Sequence, residues 1–173
     1  APWYYTSDVE ELFKKRVGKL YQKYMSTENL GKLGYRRTNS VVYSNQYRSL
    51  EACLDKTAWQ GNIFQVEDGL WEIQQVYMAL QKKAAHFEII EYAPQWFIRL
   101  SYLKKNGVHK KDLQAFISAV NTQAADEMYF TLKLLRDRGV VLPLEELGFD
   151  DMFYYSVLKQ SKGIQARKVA GTY

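Results

Sequence analysis

Cations and tyrosines recur together in the first third of this chain, at spacings suited to contact with phosphates. Lys15, Lys19 and Lys23 stand at i, i+4 and i+8, one side of a helix beside its apolar stripe. The series continues through Lys32, Arg36, Arg37 and Arg48, with Tyr35, Tyr43 and Tyr47 interleaved. Lysine and arginine neutralise phosphate oxygens without reading sequence, and tyrosine rings stack on bases or sugars. Arg167 and Lys168, in a basic tail, complete a set of twelve residues expected to bind nucleic acid. The stretch "GYRRTNSVVYSNQYRSL", residues 34–50, carries half of that set and shows no helical apolar stripe. It has two readings. As an arm it contacts phosphates. As an intramolecular strap, its arginines pair with carboxylates from the acidic middle segment, residues 38–103. The arm is the favoured expectation.

Other chemistry-bearing residues fit less well. His86, Glu88 and Glu91 suggest a metal site, but on a helix His86 projects roughly 160° from Glu88, and ligands must converge on one point. Paired Glu-x-x-His motifs are absent from the sequence. His109 lies among Lys104, Lys105, Lys110 and Lys111, whose charge opposes its protonation and metal binding alike. Cys53 is the single cysteine, which rules out an intrachain disulfide framework, and no local signature supports it as a nucleophile. It reads as a buried thiol. No glycine cluster forms a phosphate-cradling loop. Arg16 and Glu127 intrude on apolar stripes and read as side chains reaching from the stripe's edge to water. The sequence thus calls for no metal or cofactor, and leans away from an enzyme. An enzyme or small-ligand carrier would need a polar pocket near Glu88 and Glu91, or near Asp126 and Glu127.

The elements that would position these residues read as helices. Ser7-Asp8-Val9-Glu10 resembles a capping box, and Val9, Leu12, Phe13, Val17, Leu20, Tyr21 and Tyr24 keep helical spacing to about Met25. Residues 26–48 lose the period; Val41, Val42 and Tyr43 suit a short strand with no evident partner, and residues 49–57 a brief helix. A long helix is expected from Gly69 to Tyr92, capped by Asp68 and apolar on two sides, with a break near Pro94. Helices follow over 95–105 and from Asp112 to about Arg138, then a turn at 143–147 and a last helix at 150–159. The expected fold is an all-α, single-domain helical bundle over residues 1–163, with a long irregular region near 26–68 and a basic tail at 164–173.

Composition sets the class of function. The chain has 173 residues, enough to bury a sizeable core, and a net charge of +5. Residues 1–37 hold eight Lys/Arg against four Asp/Glu, whereas residues 38–103 hold five against seven. Fourteen Tyr, eight Phe and four Trp exceed what such a core needs, so part of this aromatic surface is expected at a contact with another molecule. No apolar run approaches the roughly 20 residues of a membrane span. The expectation is a soluble protein, intracellular or within an assembled particle, that acts by binding. The leading reading is a structural or assembly protein, nucleoprotein- or coat-like, on nucleic acid and other subunits. The alternative is a protein-interaction module, such as an adaptor, chaperone or secretion-system component, using Tyr-rich helical faces.

Overall fold

The computed structural model describes residues 1–123, 129–140 and 148–167. It corrects the all-α helical bundle to a mixed α/β fold, because two three-stranded antiparallel sheets run between the helices. Contacts divide the chain into two compact units, Ala1–Gln60 and Gly61–Tyr173.

In the first unit the sheet has strand order β1-β3-β2, with β1 at Trp3–Tyr5, β2 at Tyr35–Arg37 and β3 at Val41–Ser44. The partner that Val41-Val42-Tyr43 lacked in the sequence comes from two sides. Tyr4 pairs with Val42 across one edge, and Arg37 pairs with Val42 across the other. Thr38 closes the β2–β3 turn: its N–H donates to the Val41 carbonyl at 2.8 Å, and its Oγ1 accepts from the Val41 N–H at 2.9 Å. Strand alternation then sends neighbours to opposite faces. Val42 faces a helical layer of α1 (Thr6–Val17), α2 (Tyr21–Tyr24) and α3 (Thr27–Lys32), whose Met25 and Leu30 are buried with it. β3 also packs on α4 (Leu50–Thr57), which buries Leu50, Cys53 and Leu54.

The first helix is shorter than its apolar period implied. Gly18 adopts φ +56, ending α1, and a 3-10 turn at Gly18–Leu20 follows. An L side chain rarely takes that backbone conformation, so the break is written into Gly18. The expected capping box does not form: the helix starts at Thr6, and Ser7 Oγ lies 3.4 Å from Asp8 Oδ1 instead. Ser49 does cap α4, its Oγ accepting the Ala52 N–H at 3.1 Å.

The second unit holds β4 (Ile63–Gln65), β5 (Ile89–Ala93) and β6 (Trp96–Arg99) in the order β4-β6-β5. The helix expected over 69–92 is in fact α5 (Asp68–Trp71), α6 (Gln74–Ala85) and then β5. Phe87, at φ 57, turns the chain out of α6. Ile89 and Ile90 then extend as β-branched residues prefer. The apolarity on two sides of this segment belongs at its end to a strand covered on both faces. Ile90 and Ile98 join a core with α7 (Leu100–Lys105), α8 (Lys110–Gln123) and α10 (Asp151–Leu158). On the other face Phe64 stacks on Phe97 at 5.5 Å, with Trp71 6.1 Å from Phe97.

Pro94 marks a hairpin turn between β5 and β6, not a helix kink. The helix expected over 95–105 begins only at Leu100, after β6. The helix expected from Asp112 to Arg138 also divides: α8 is followed, after a non-helical Tyr129–Thr131, by α9 at Leu132–Asp137, with Thr131 as its cap. The last helix, α10, lies where the periodicity put it. The turn expected at 143–147, and Glu127 on the apolar stripe, fall outside the described residues.

Candidate functional site

The twelve expected nucleic-acid contacts do not gather into one cationic groove. Lys15 pairs with Glu11 at 2.6 Å and Lys32 with Glu28 at 2.6 Å, both at i, i+4. The Glu11 carboxyl is held below its ordinary value by the hydrogen bond and charge of Lys15. Such exposed pairs contribute little to stability and leave the cations accessible. Lys19 lies in the 3-10 turn and Lys23 in α2, so the break at Gly18 removes the straight register that would align them with Lys15. Tyr43 is buried on the central strand, and Tyr35 packs against the Met25–Leu30–Val42 cluster, with its ring 6.2 Å from that of Tyr4. These rings are therefore committed to the fold. Tyr47 lies half-buried in the loop before α4 and Arg48 is exposed there. Arg167 is exposed and reaches Gln165 Oε1 at 3.5 Å; Lys168 lies outside the described residues.

Arg36 and Arg37 show why adjacency in sequence misleads. On β2 they point to opposite faces. Arg37 Nη1 donates to the Met25 carbonyl at 3.0 Å, and its Nη2 pairs with Glu10 Oε1 at 3.0 Å. Arg36 Nη1 donates to the Arg48 carbonyl at 3.0 Å, closing the loop before α4. Arg37 thus ties β2 to the first helix. The carboxylate it meets is Glu10, whereas the strap reading called for one within residues 38–103, and Arg36 meets a carbonyl and no carboxylate.

What the helical layer leaves outward is different in character. Its inward side is built by Val9, Phe13, Tyr21, Met25 and Leu30. Leu12, Leu20 and Leu33 remain 53%, 63% and 59% exposed, and Tyr24, stacked on Phe13 at 5.7 Å, is 40% exposed. Arg16, Lys19 and Lys23, from the same stretch of chain, have no side-chain hydrogen bond or ion pair among the described residues. Ten Lys/Arg against six Asp/Glu in residues 1–60 leave this unit with most of the net positive charge. Exposed large apolar side chains and unpaired cations thus occur together in these short helices and turns. The sequence showed all of these residues. It placed Leu12, Leu20 and Tyr24 in the buried stripe; Leu20 and Tyr24 follow the break at Gly18, whereas Leu12 is exposed within α1 itself.

The second unit holds one polar recess of note. It lies beside edge strand β5, lined by Gln81 and Ala84 of α6, Glu91 of β5, Tyr155 and Ser156 of α10, and Lys159 at the end of that helix. Its cavity of about 20 Å³ has room for a water molecule and not for a small substrate. Glu91 Oε1 accepts the Gln95 N–H at 2.9 Å, pinning a turn in which Gln95 takes φ 63. Burial pushes the Glu91 carboxyl above its ordinary value near 4.5; the Gln95 N–H and the Lys159 charge offset this only in part. The folded state therefore holds the Glu91 proton more tightly than the unfolded chain does. This contribution is full below the unfolded value and is lost as pH rises through the raised folded value. Glu91→Gln keeps the acceptor for Gln95. It should raise the urea midpoint at pH 7 and leave it nearly unchanged at pH 4. An equal shift at both pH values would show that ionisation of Glu91 costs the fold nothing.

Burial also raises the Cys53 thiol, with a smaller opposing effect from Thr57. Cys53 is buried under β3, and its Sγ lies 3.7 Å from the Pro2 carbonyl, which suits an inert packing thiol. Among the described residues no three His, Cys, Asp or Glu side chains converge as a metal site would require. No described helix is long and apolar enough to cross a membrane. No protein-family model, no curated protein and no solved structure matches this chain, so its functional reading rests on its own residues.

Proposed function

We propose that this chain is a non-enzymatic binding protein whose first unit docks a partner protein on the outward side of α1–α3. The observation that carries this reading is the exposure of Leu12, Leu20, Tyr24 and Leu33 on a layer that is already well packed beneath. Large apolar side chains left in water favour burial against another surface, each contributing about 1–2 kcal/mol when covered. Arg16, Lys19 and Lys23 would then meet acidic groups at the rim and steer association. The double change Leu20→Ser with Leu33→Ser tests it. Complexes are crosslinked in the source cells and purified through the tagged chain. The expected result is a defined hetero-complex whose mass survives nuclease, and which the double variant loses while its melting temperature stays within about 2 °C of wild type. A complex that nuclease dissolves, or that the variant retains, overturns the reading.

A second reading, nucleic-acid binding, is favoured by Arg16, Lys19, Lys23 and Arg48, cations with no acidic partner among the described residues, and by the basic excess of this unit. It predicts binding of single-stranded RNA or duplex DNA at about 50 mM salt that falls steeply by about 200 mM. Fluorescence anisotropy with both probes decides it, and absence of binding at the lower salt removes this reading.

A further inference from the structure

Strand β4 presents an open edge. Across from β6, the Asn62 carbonyl accepts the Arg99 N–H at 2.9 Å and the Val66 N–H donates to the Gln95 carbonyl at 2.9 Å. Antiparallel ladders alternate, so Phe64, opposite Phe97, also bonds toward β6. The N–H and C=O groups of Ile63 and Gln65 therefore point away from the sheet, and they have no partner among the described residues. The other edge, β5, is flanked by α6 and α10, and its Ile89 and Ile90 are buried. On β4, by contrast, Ile63 is 43% exposed, and Trp96, on the same face of the sheet, is 38% exposed.

Natural sheets guard such edges with lysine, proline, a bulge or an inward charge. Asn62-Ile63-Phe64-Gln65-Val66 has none of these. Its pattern is also self-complementary. We infer that β4 pairs antiparallel with β4 of a second copy about a two-fold axis at Phe64, setting Ile63 opposite Gln65 of the second copy. In that register the outward groups of both residues meet as hydrogen-bonded pairs, four main-chain bonds in all. The charges agree with it. Glu67 and Asp68 fall opposite Gly61 and Gln60 of the second copy, whereas a parallel in-register pairing would set Glu67 beside Glu67. Ile63 and Trp96 become partly covered. The two sheets join into one of six strands. This inference is independent of the docking surface on α1–α3.

An interface of three residues per strand is small, so the association is weak and depends on concentration. Sedimentation equilibrium from about 10 µM to about 1 mM should show the average mass rising from monomer towards dimer. Amide exchange at the upper concentration should slow at Ile63 and Gln65 relative to the lower one. Ile63→Lys, at an exposed position, should stay folded and remain monomeric across the range. Leu20→Ser with Leu33→Ser should associate like wild type. A monomer mass throughout overturns the inference. So does association that persists in Ile63→Lys, or protection that appears elsewhere and not on β4.

Discussion

Replacing Phe153 with Ala should lower the stability of the second unit by about 3–5 kcal/mol, a large share of what a unit of this size has to lose. Phe153 is fully buried on α10. Its ring stacks on Phe149 at 4.2 Å and meets Tyr154 edge-on at 5.5 Å. It belongs to the cluster in which α10 meets Ile90, Ile98 and Phe116. Truncation removes transfer free energy, leaves a cavity that close-packed neighbours cannot collapse, and forfeits two ring contacts. Urea unfolding of wild type and variant measures it. A loss under about 1 kcal/mol would mean that α10 does not cover the sheet as described. Phe153→Leu, which retains most of the volume, should cost markedly less.

Arg37→Ala should cost the first unit about 1–2 kcal/mol, because it removes an ion pair to Glu10 and a hydrogen bond to the Met25 carbonyl together. Both side chains are about a third exposed, which discounts the ionic part and leaves the half-buried carbonyl bond as the firmer share. Arg36→Ala removes one exposed bond to the Arg48 carbonyl and should cost about 0.5 kcal/mol or less. The contrast separates strap from arm. Unfolding midpoints that fall for Arg37 and barely move for Arg36 support the strap. Equal, negligible effects on stability with lost polyanion binding would restore the arm. A double-mutant cycle with Glu10→Ala isolates the ion pair from the carbonyl bond.

The α10 helix and the Ser49-capped α4 were legible because their signals are local. Each has a cap or an acidic first turn, an apolar face and a length of about two turns. The sheets were not. Their strands are three to five residues long, less than the window in which a period of two separates from 3.6. Three signals were nonetheless present. Thr38-Asn39-Ser40 is a cluster of turn formers between Tyr35-Arg36-Arg37 and Val41-Val42-Tyr43, and Pro94-Gln95 separates Ile89-Ile90 from Phe97-Ile98. Trp3-Tyr4-Tyr5, just ahead of the first helix, is a run of strong strand formers.

The candidate surface follows the same division. Residue types alone established a basic first segment, a high aromatic content and a free cysteine suited to burial, since charge, size and polarity are properties of each side chain. They also include Leu12, Leu20, Tyr24 and Leu33, which the fold leaves exposed. Which side of each residue faces water was decided by tertiary structure. Gly18 broke a helix and exposed Leu20 and Tyr24; a three-residue strand split Arg36 from Arg37; the central position of β3 buried Tyr43. Burial depends on what packs across from a residue, and that neighbour can lie tens of positions away in the chain: Tyr4 beside Val42, Phe153 in one cluster with Ile90.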